Sequence, residues 1–167
     1  INMSNLLHLL DVIDNPIPFT LGKLTTYLNI HAYCVARKKI NIFDNFDNIL
    51  IDSIVLMKLL KLFHIGNHRH MNIHLVAPII FKQAISEGNS FYFLGGEEEN
   101  ISSSISVLKD SYPMIKICGY RNGYFTTFQE KEKFIQGILE LNPDIIFCGM
   151  GTPLQETTLL EIRKNGW

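Results

Sequence analysis

Asp144-Ile145-Ile146-Phe147-Cys148-Gly149-Met150-Gly151-Thr152-Pro153-Leu154-Gln155-Glu156 carries the chain from a buried strand into a helix. The run Asp144–Cys148 is short, apolar and rich in β-branched and aromatic residues, as a buried strand requires. Gly149 and Gly151 then let the backbone approach a ligand closely. Pro153, Gln155 and Glu156 open a helix, whose N-terminus offers N–H groups to an anion.

Outward from this turn, the same alternation recurs along the 167 residues. Candidate strands lie at Leu24–Leu28, Asn48–Ile51, Ser90–Leu94 and Met114–Cys118. Helical periodicity fills the intervals, at about His31–Lys39, Ser53–Phe63, Leu75–Ser86, Ile101–Ser111, Phe128–Leu141 and Gln155–Lys164. Strands and helices in this order predict an α/β fold: a single Rossmann-like domain over residues 1–167, with a mainly parallel sheet and helices on both faces. Several strands end on Asn29, Asp52, Gly95-Gly96, Gly119 or Gly149. In open α/β sheets ligands bind beyond the carboxyl ends of the strands, so these residues are expected along one edge.

The overall composition narrows the function classes. Apolar residues make up 47% of the chain and the formal net charge is −1, which fits a globular protein and argues against a nucleic-acid-binding surface. Cys34, Cys118 and Cys148 are scattered in apolar segments and read as buried packing thiols in a reducing compartment. No secretory signal is evident, and Asp52, Lys58 and Lys61 interrupt the most hydrophobic stretch, Ile49 to Ile65, so it is not expected to span a bilayer. A cytoplasmic location is the expectation, with attachment to a membrane surface left open. The apolar segment Ile54–Phe63 reads as core rather than as an interface between subunits.

Each motif has a functional and a purely structural reading. Gly95-Gly96 would let the backbone approach a nucleotide or sugar, or would simply make a tight turn. In Gly119-Tyr120-Arg121-Asn122-Gly123-Tyr124-Phe125, Arg121 could pair with phosphate and Tyr124 or Phe125 could stack on a base; otherwise the segment is an exposed loop with aromatic anchors. Asp52 is either the N-cap of the next helix or a base at the ligand edge. His68, His70 and His74 include a pair at helical spacing but no further ligand to complete a metal set, and Arg69 among them could meet a phosphate. Glu97-Glu98-Glu99 suits the first turn of a helix, and no Asp-x-Asp pair is placed to hold a divalent cation.

From about Leu24 to Trp167, the order of these blocks resembles the WecG/TagA/CpsF glycosyltransferases, family twenty-six of that class. The blocks are Thr26-Tyr27-Leu28-Asn29, Asp52, Phe93-Leu94-Gly95-Gly96 with Gly119 through Phe125, and Gly149 through Glu156 with its Pro143 lead-in. The resemblance implies an inverting, metal-independent transfer of a sugar from a UDP-sugar donor, such as UDP-N-acetylmannosamine, its uronic acid or a UDP-hexose. The implied acceptor is a lipid diphosphate-linked saccharide at the cytoplasmic membrane face, in cell-surface polysaccharide synthesis. No cofactor is implied, and a homo-oligomer is compatible with the family. Asp52 matches the proposed base and Thr26 a threonine beside it, although the family's usual threonine position holds Tyr27 here and its Asp-Gly is Asp52-Ser53. The remaining implied substrate-binding residues are Asn29, Arg69, Gly95, Gly96, Arg121, Gly123, Tyr124, Phe125, Gly149, Gly151, Thr152, Pro153, Gln155 and Glu156. Family members usually continue past the Trp167 position into a basic C-terminal appendage, so the chain is expected to lack that part.

Two other classes compete. One is a nucleotide-sugar-binding partner of polysaccharide machinery without catalysis. The other, a dinucleotide-dependent oxidoreductase, is disfavoured because no G-x-G-x-x-G follows the first strand.

Overall fold

The computed structural model describes residues 20–64, 71 and 73–167. The chain divides into two compact units, the first ending at Ile79 and the second beginning at Ile80. The fold is α/β, with seven helices and five strands among the described residues. The strands form two parallel sheets, one of two strands and one of three.

In the first unit, β1 (Thr25–Leu28) leads into α1 (Ile30–Lys38) and a short α2 (Ile40–Phe43). The chain returns through β2 (Asn48–Ile51), which pairs with β1 in register from Thr25 opposite Asn48 to Leu28 opposite Ile51. A carboxylate holds the start of the pair: Asp47 accepts from the Leu24 amide at 2.8 Å and from Lys23 Nζ at 3.0 Å. Asn29 caps α1, its Oδ1 accepting from Ala32 N at 2.9 Å. Ala32 and Ala36, one helical turn apart, are the buried positions of α1.

Next comes α3 (Ile54–Leu62), which buries Leu56 and Leu60. Here the expectation of a core helix fails. Ile54, Val55, Leu59, Leu62 and Phe63 are all exposed. The reason is geometric: two buried positions four apart fill one narrow stripe, and Ile54, Val55, Leu59, Leu62 and Phe63 lie outside it. The segment is apolar in composition but covered on one side only. The helix α4 (Ile73–Glu87) then runs across the boundary between the units.

The second unit is a β3 (Ser90–Gly95), α5 (Glu98–Ser111), β4 (Lys116–Arg121), α6 (Phe128–Leu141), β5 (Ile145–Gly149), α7 (Leu154–Lys164) succession. All pairings are parallel and the strand order is β4-β3-β5, so β3 is central. Alternation along β3 sends side chains to two apolar layers. Phe91 and Phe93 stack at 5.6 Å between centroids, and Phe81 of α4 packs edge-on against Phe91 at 5.5 Å. Tyr92 and Leu94 point the other way, into a cluster with Phe134, Ile135 and Ile138 of α6 and Ile162 of α7. Helices therefore cover both faces of this sheet, as expected. Burying one such side chain is worth about 1.5–3 kcal/mol.

The start of this sheet is stitched by a second carboxylate. Asp144 Oδ2 accepts from both the amide and the hydroxyl of Ser90, each at 2.7 Å, and the Asp144 amide donates back to Ser90 Oγ at 3.2 Å. These bonds hold the Asp144 carboxyl below the usual range, the Ser90 amide contributing most.

One strand departs from expectation. β4 lies two to three residues beyond Met114–Cys118, so Gly119, Tyr120 and Arg121 belong to the strand and not to a following loop. The pairing shifts between Phe91 and Tyr92, putting Tyr92 opposite Gly119. A Cβ at Gly119 would sit 2.6 Å from the Tyr92 ring, so this glycine makes room for an aromatic neighbour and is not a turn. Gly119→Ala should destabilise the protein by about 1–3 kcal/mol in urea unfolding, and combining it with Tyr92→Leu should recover part of that loss.

Candidate functional site

The residues proposed from sequence fall into two sets. Thr26, Asn29 and Asp52 belong to the first unit, and Gly95 through Glu156 to the second. Arg69, with His68 and His70, lies outside the described residues.

In the first set, Asn29 and Asp52 follow the paired ends of β1 and β2, and the Asp52 amide donates to the Leu28 carbonyl at 2.9 Å. The capping alternative for Asp52 is resolved: Ser53 caps α3, its Oγ accepting from Leu56 N at 3.2 Å. The Asp52 carboxylate is thus not committed as the cap. Tyr27 lies two residues before Asn29, and its phenol is pushed up to about 12, by burial first and by the negative charge of Asp52 second. Thr26 is buried at 3% exposure, on the opposite face of the strand from Tyr27.

In the second set, three turns converge at the carboxyl end of the sheet. Gly95 pairs with Gly149, and a Cβ at Gly95 would lie 2.3 Å from the Gly149 carbonyl oxygen. The φ of +136° at Gly95 independently demands glycine. Gly123 donates its N–H to the Gly96 carbonyl at 3.0 Å, and a Cβ there would lie 3.2 Å from Gly95 Cα. A Cβ at Gly149 or Gly151 would meet nothing within 4 Å, so the space over this turn is open.

Beneath the turn lies Glu156, fully buried. Its Oε1 accepts from Gln155 Nε2 at 2.9 Å and Thr152 Oγ1 at 3.2 Å. No side chain caps α7, which begins after Pro153; the Gln155 amide of its first turn donates to the Gly151 carbonyl at 3.0 Å. Next to Gly149, burial drives the Cys148 thiol up to about 12, which makes it an inert packing group, whereas Cys34 and Cys118 are exposed, against the expectation that all three are buried.

Arg121 is engaged within the protein. Its Nη2 donates to Glu130 Oε1 at 2.6 Å and to the Tyr124 carbonyl at 2.9 Å, and its guanidinium lies 4.3 Å from the centre of the Phe125 ring. Glu130 also accepts from the Thr126 amide at 2.6 Å and the Thr126 hydroxyl at 2.7 Å. At the near side of the loop, Asn122 bridges Glu98 of α5 (2.7 Å) and the Tyr124 amide (3.0 Å). The loop is therefore held at both ends by carboxylates. A cleft of about 420 Å³ opens beside it, lined by Gly123 to Phe128, Lys131 and Leu154. Tyr124 and Phe128, 64% and 65% exposed, border this cleft.

Sequence reading did not find Glu130, Thr126, Phe128 or Lys131. The signal for Glu130 was present: Thr127-Phe128-Gln129-Glu130 is a capping-box pattern. Thr127 Oγ1 does accept from Glu130 N at 3.1 Å, while the carboxylate reaches one residue further back, to Thr126.

These bonds, the Thr126 amide foremost, hold the Glu130 carboxyl down from 4.5 to about 2. In the unfolded chain Glu130 protonates first, so its stabilisation is complete above the unfolded value and fades as pH falls through the folded one. The difference in Tm between wild type and Glu130→Gln should be constant above about pH 5, narrow below 4.5 and vanish near 2, as read by thermal unfolding across that range.

Comparison with known proteins places this geometry. The profile of the Glycosyl transferase WecG/TagA/CpsF family matches residues 1–165. A UDP-Gal:alpha-D-GlcNAc-diphosphoundecaprenol beta-1,4-galactosyltransferase of Shigella boydii is 30% identical over 145 residues, covering 84% of this chain and 59% of that protein. An N-acetylglucosaminyldiphosphoundecaprenol N-acetyl-beta-D-mannosaminyltransferase of Bacillus subtilis (strain 168) is 26% identical over 161 residues, covering 92% of this chain and 60% of its own length. The sequence thus spans about three fifths of these relatives. With its glycine turns, parallel sheets and near full-length profile match, the chain belongs to the WecG/TagA/CpsF glycosyl transferase family.

Proposed function

We propose that the protein transfers a sugar from a UDP-sugar donor to a lipid diphosphate-linked saccharide in bacterial cell-surface polysaccharide synthesis, at the cytoplasmic face of the membrane. The observation that carries this reading is the open turn Gly149–Pro153, set against Gly95 and followed by an uncapped helix. Such a turn suits a diphosphate, because amide dipoles at a helix start meet negative charge without a metal. The two relatives carry in their names a diphosphoundecaprenol-linked GlcNAc acceptor, which supports the acceptor class.

In this reading the acceptor hydroxyl attacks the anomeric carbon, its proton passes to the Asp52 carboxylate, and the bond from that carbon to the UDP oxygen breaks on the opposite face. Asn29 and Thr26 shape the surroundings of the base. Charge developing on UDP is met by main-chain amides of the turn before α7, those of Gly151 and Thr152, while the Gln155 amide is bonded to the Gly151 carbonyl. Glu156 holds Thr152 and Gln155 in place from below, so its contribution is to organise the turn. Arg121 similarly organises the Gly123–Phe125 loop through Glu130, and Tyr124 offers a flat apolar surface for a nucleobase or sugar.

Calorimetric titration with UDP should give binding that is unchanged by EDTA, and Gly95→Ala should remove it. Absence of UDP binding would overturn the donor assignment. In a transfer assay with a lipid-linked acceptor, Asp52→Asn should lower kcat by about 10²–10⁴-fold with the UDP affinity retained, and near-normal turnover would exclude Asp52 as the base.

A further inference from the structure

The outer arc of α3 is an exposed apolar feature that the site does not use. Leu62 and Phe63 are 69% and 68% exposed, and Ile54, Val55 and Leu59 about half exposed, all on one short helix and its last turn. Projected at about 100° per residue, Leu62, Val55, Leu59 and Phe63 follow one another around the helix, beside buried Leu56 and Leu60, and Ile54 lies beyond Leu62. Lys58 and Lys61 are the only charged residues of α3, both exposed, and they flank Ile54 next to the Leu62 end of this arc. No acidic residue offsets them within the helix.

Apolar side chains bordered by lysines form the pattern of a helix lying in the plane of an anionic lipid surface. The charge selects the occupant. A second copy of the same helix would bring Lys58 and Lys61 against their own counterparts, whereas anionic headgroups neutralise them. The position of α3 agrees with this choice, since it begins two residues after Asp52. A membrane under α3 would hold the proposed base near headgroup level, where a lipid-linked diphosphate presents its sugar.

We infer that the outer face of α3, formed by Ile54, Val55, Leu59, Leu62 and Phe63 with Lys58 and Lys61, docks the protein onto an anionic membrane surface. The inference rests on the lipid-linked acceptor proposed above. Insertion is shallow: among the described residues, no helix is long and apolar enough to cross a membrane.

The test is co-sedimentation of the whole chain with vesicles of equal parts phosphatidylglycerol and phosphatidylcholine, against vesicles of phosphatidylcholine alone. The wild type should pellet with the anionic vesicles and be released by high salt. Leu62→Glu with Phe63→Glu, and separately Lys58→Glu with Lys61→Glu, should each weaken binding by about tenfold or more. All four positions are exposed, so circular dichroism should be unchanged in both variants. Equal pelleting with both vesicle types, or an undiminished Leu62/Phe63 variant, overturns the inference. So does a wild-type dimer, seen by sedimentation velocity without vesicle binding, that the Leu62/Phe63 variant dissociates: the face would then belong to a second copy. UDP titration of the same samples separates the two proposals. Lost vesicle binding with intact UDP binding removes only the docking face, and the reverse removes only the donor site.

Discussion

Gly95 pairs with Gly149 with no room for a side chain between them, and the carboxyl edge of the three-stranded sheet depends on this pairing. Neighbouring parallel strands that both end on glycine can bring their turns nearer than any side chain allows. A Cβ at Gly95 would fall 2.3 Å from a carbonyl oxygen, well inside contact distance. Because those two turns are close, the Gly123 amide reaches the Gly96 carbonyl and the third turn joins them. The open space over Gly149 and Gly151 is set by main-chain geometry, and Thr152, Gln155 and Glu156 are joined to one another beside it.

Charge in this region is mostly spent internally. Arg121 and Glu130 satisfy one another and fix the loop they span. Glu156, enclosed by the helix it introduces, collects donors from Thr152 and Gln155. A surface prepared in this way presents amides, hydroxyls and aromatic faces with little net charge. That suits a leaving group whose charge rises only as the reaction proceeds, since rigid dipoles need no reorganisation to receive it.

Much of this was legible in sequence. Four of five strands were located within a residue or so, because apolar runs ending on Gly, Asn or Asp are a clear signal of a parallel strand ending at a ligand edge. The fifth, β4, was displaced because Gly119 carries two opposite meanings, a turn or space for a ring, and only the pairing partner Tyr92 decides between them. The role of Asp52 was ambiguous for a similar reason: capping by Asp52 or by Ser53 differs by one residue, below the resolution of a pattern. The exposure of Leu62 and Phe63 was illegible, since composition reports how apolar a helix is but not how many neighbours it has. Partners distant in sequence, such as Arg121 with Glu130, emerge only from the folded path.

Asp47 and Asp144 occupy equivalent places, each just before a strand and each gripping the start of the strand beside it. Each grip is at the amino end of its own sheet, away from that sheet's carboxyl edge. Under the proposed function, the architecture thereby separates integrity from recognition. Residues over the carboxyl ends can be exchanged while the sheets keep their register, so relatives built this way can diverge in the sugar they handle without relearning how to fold.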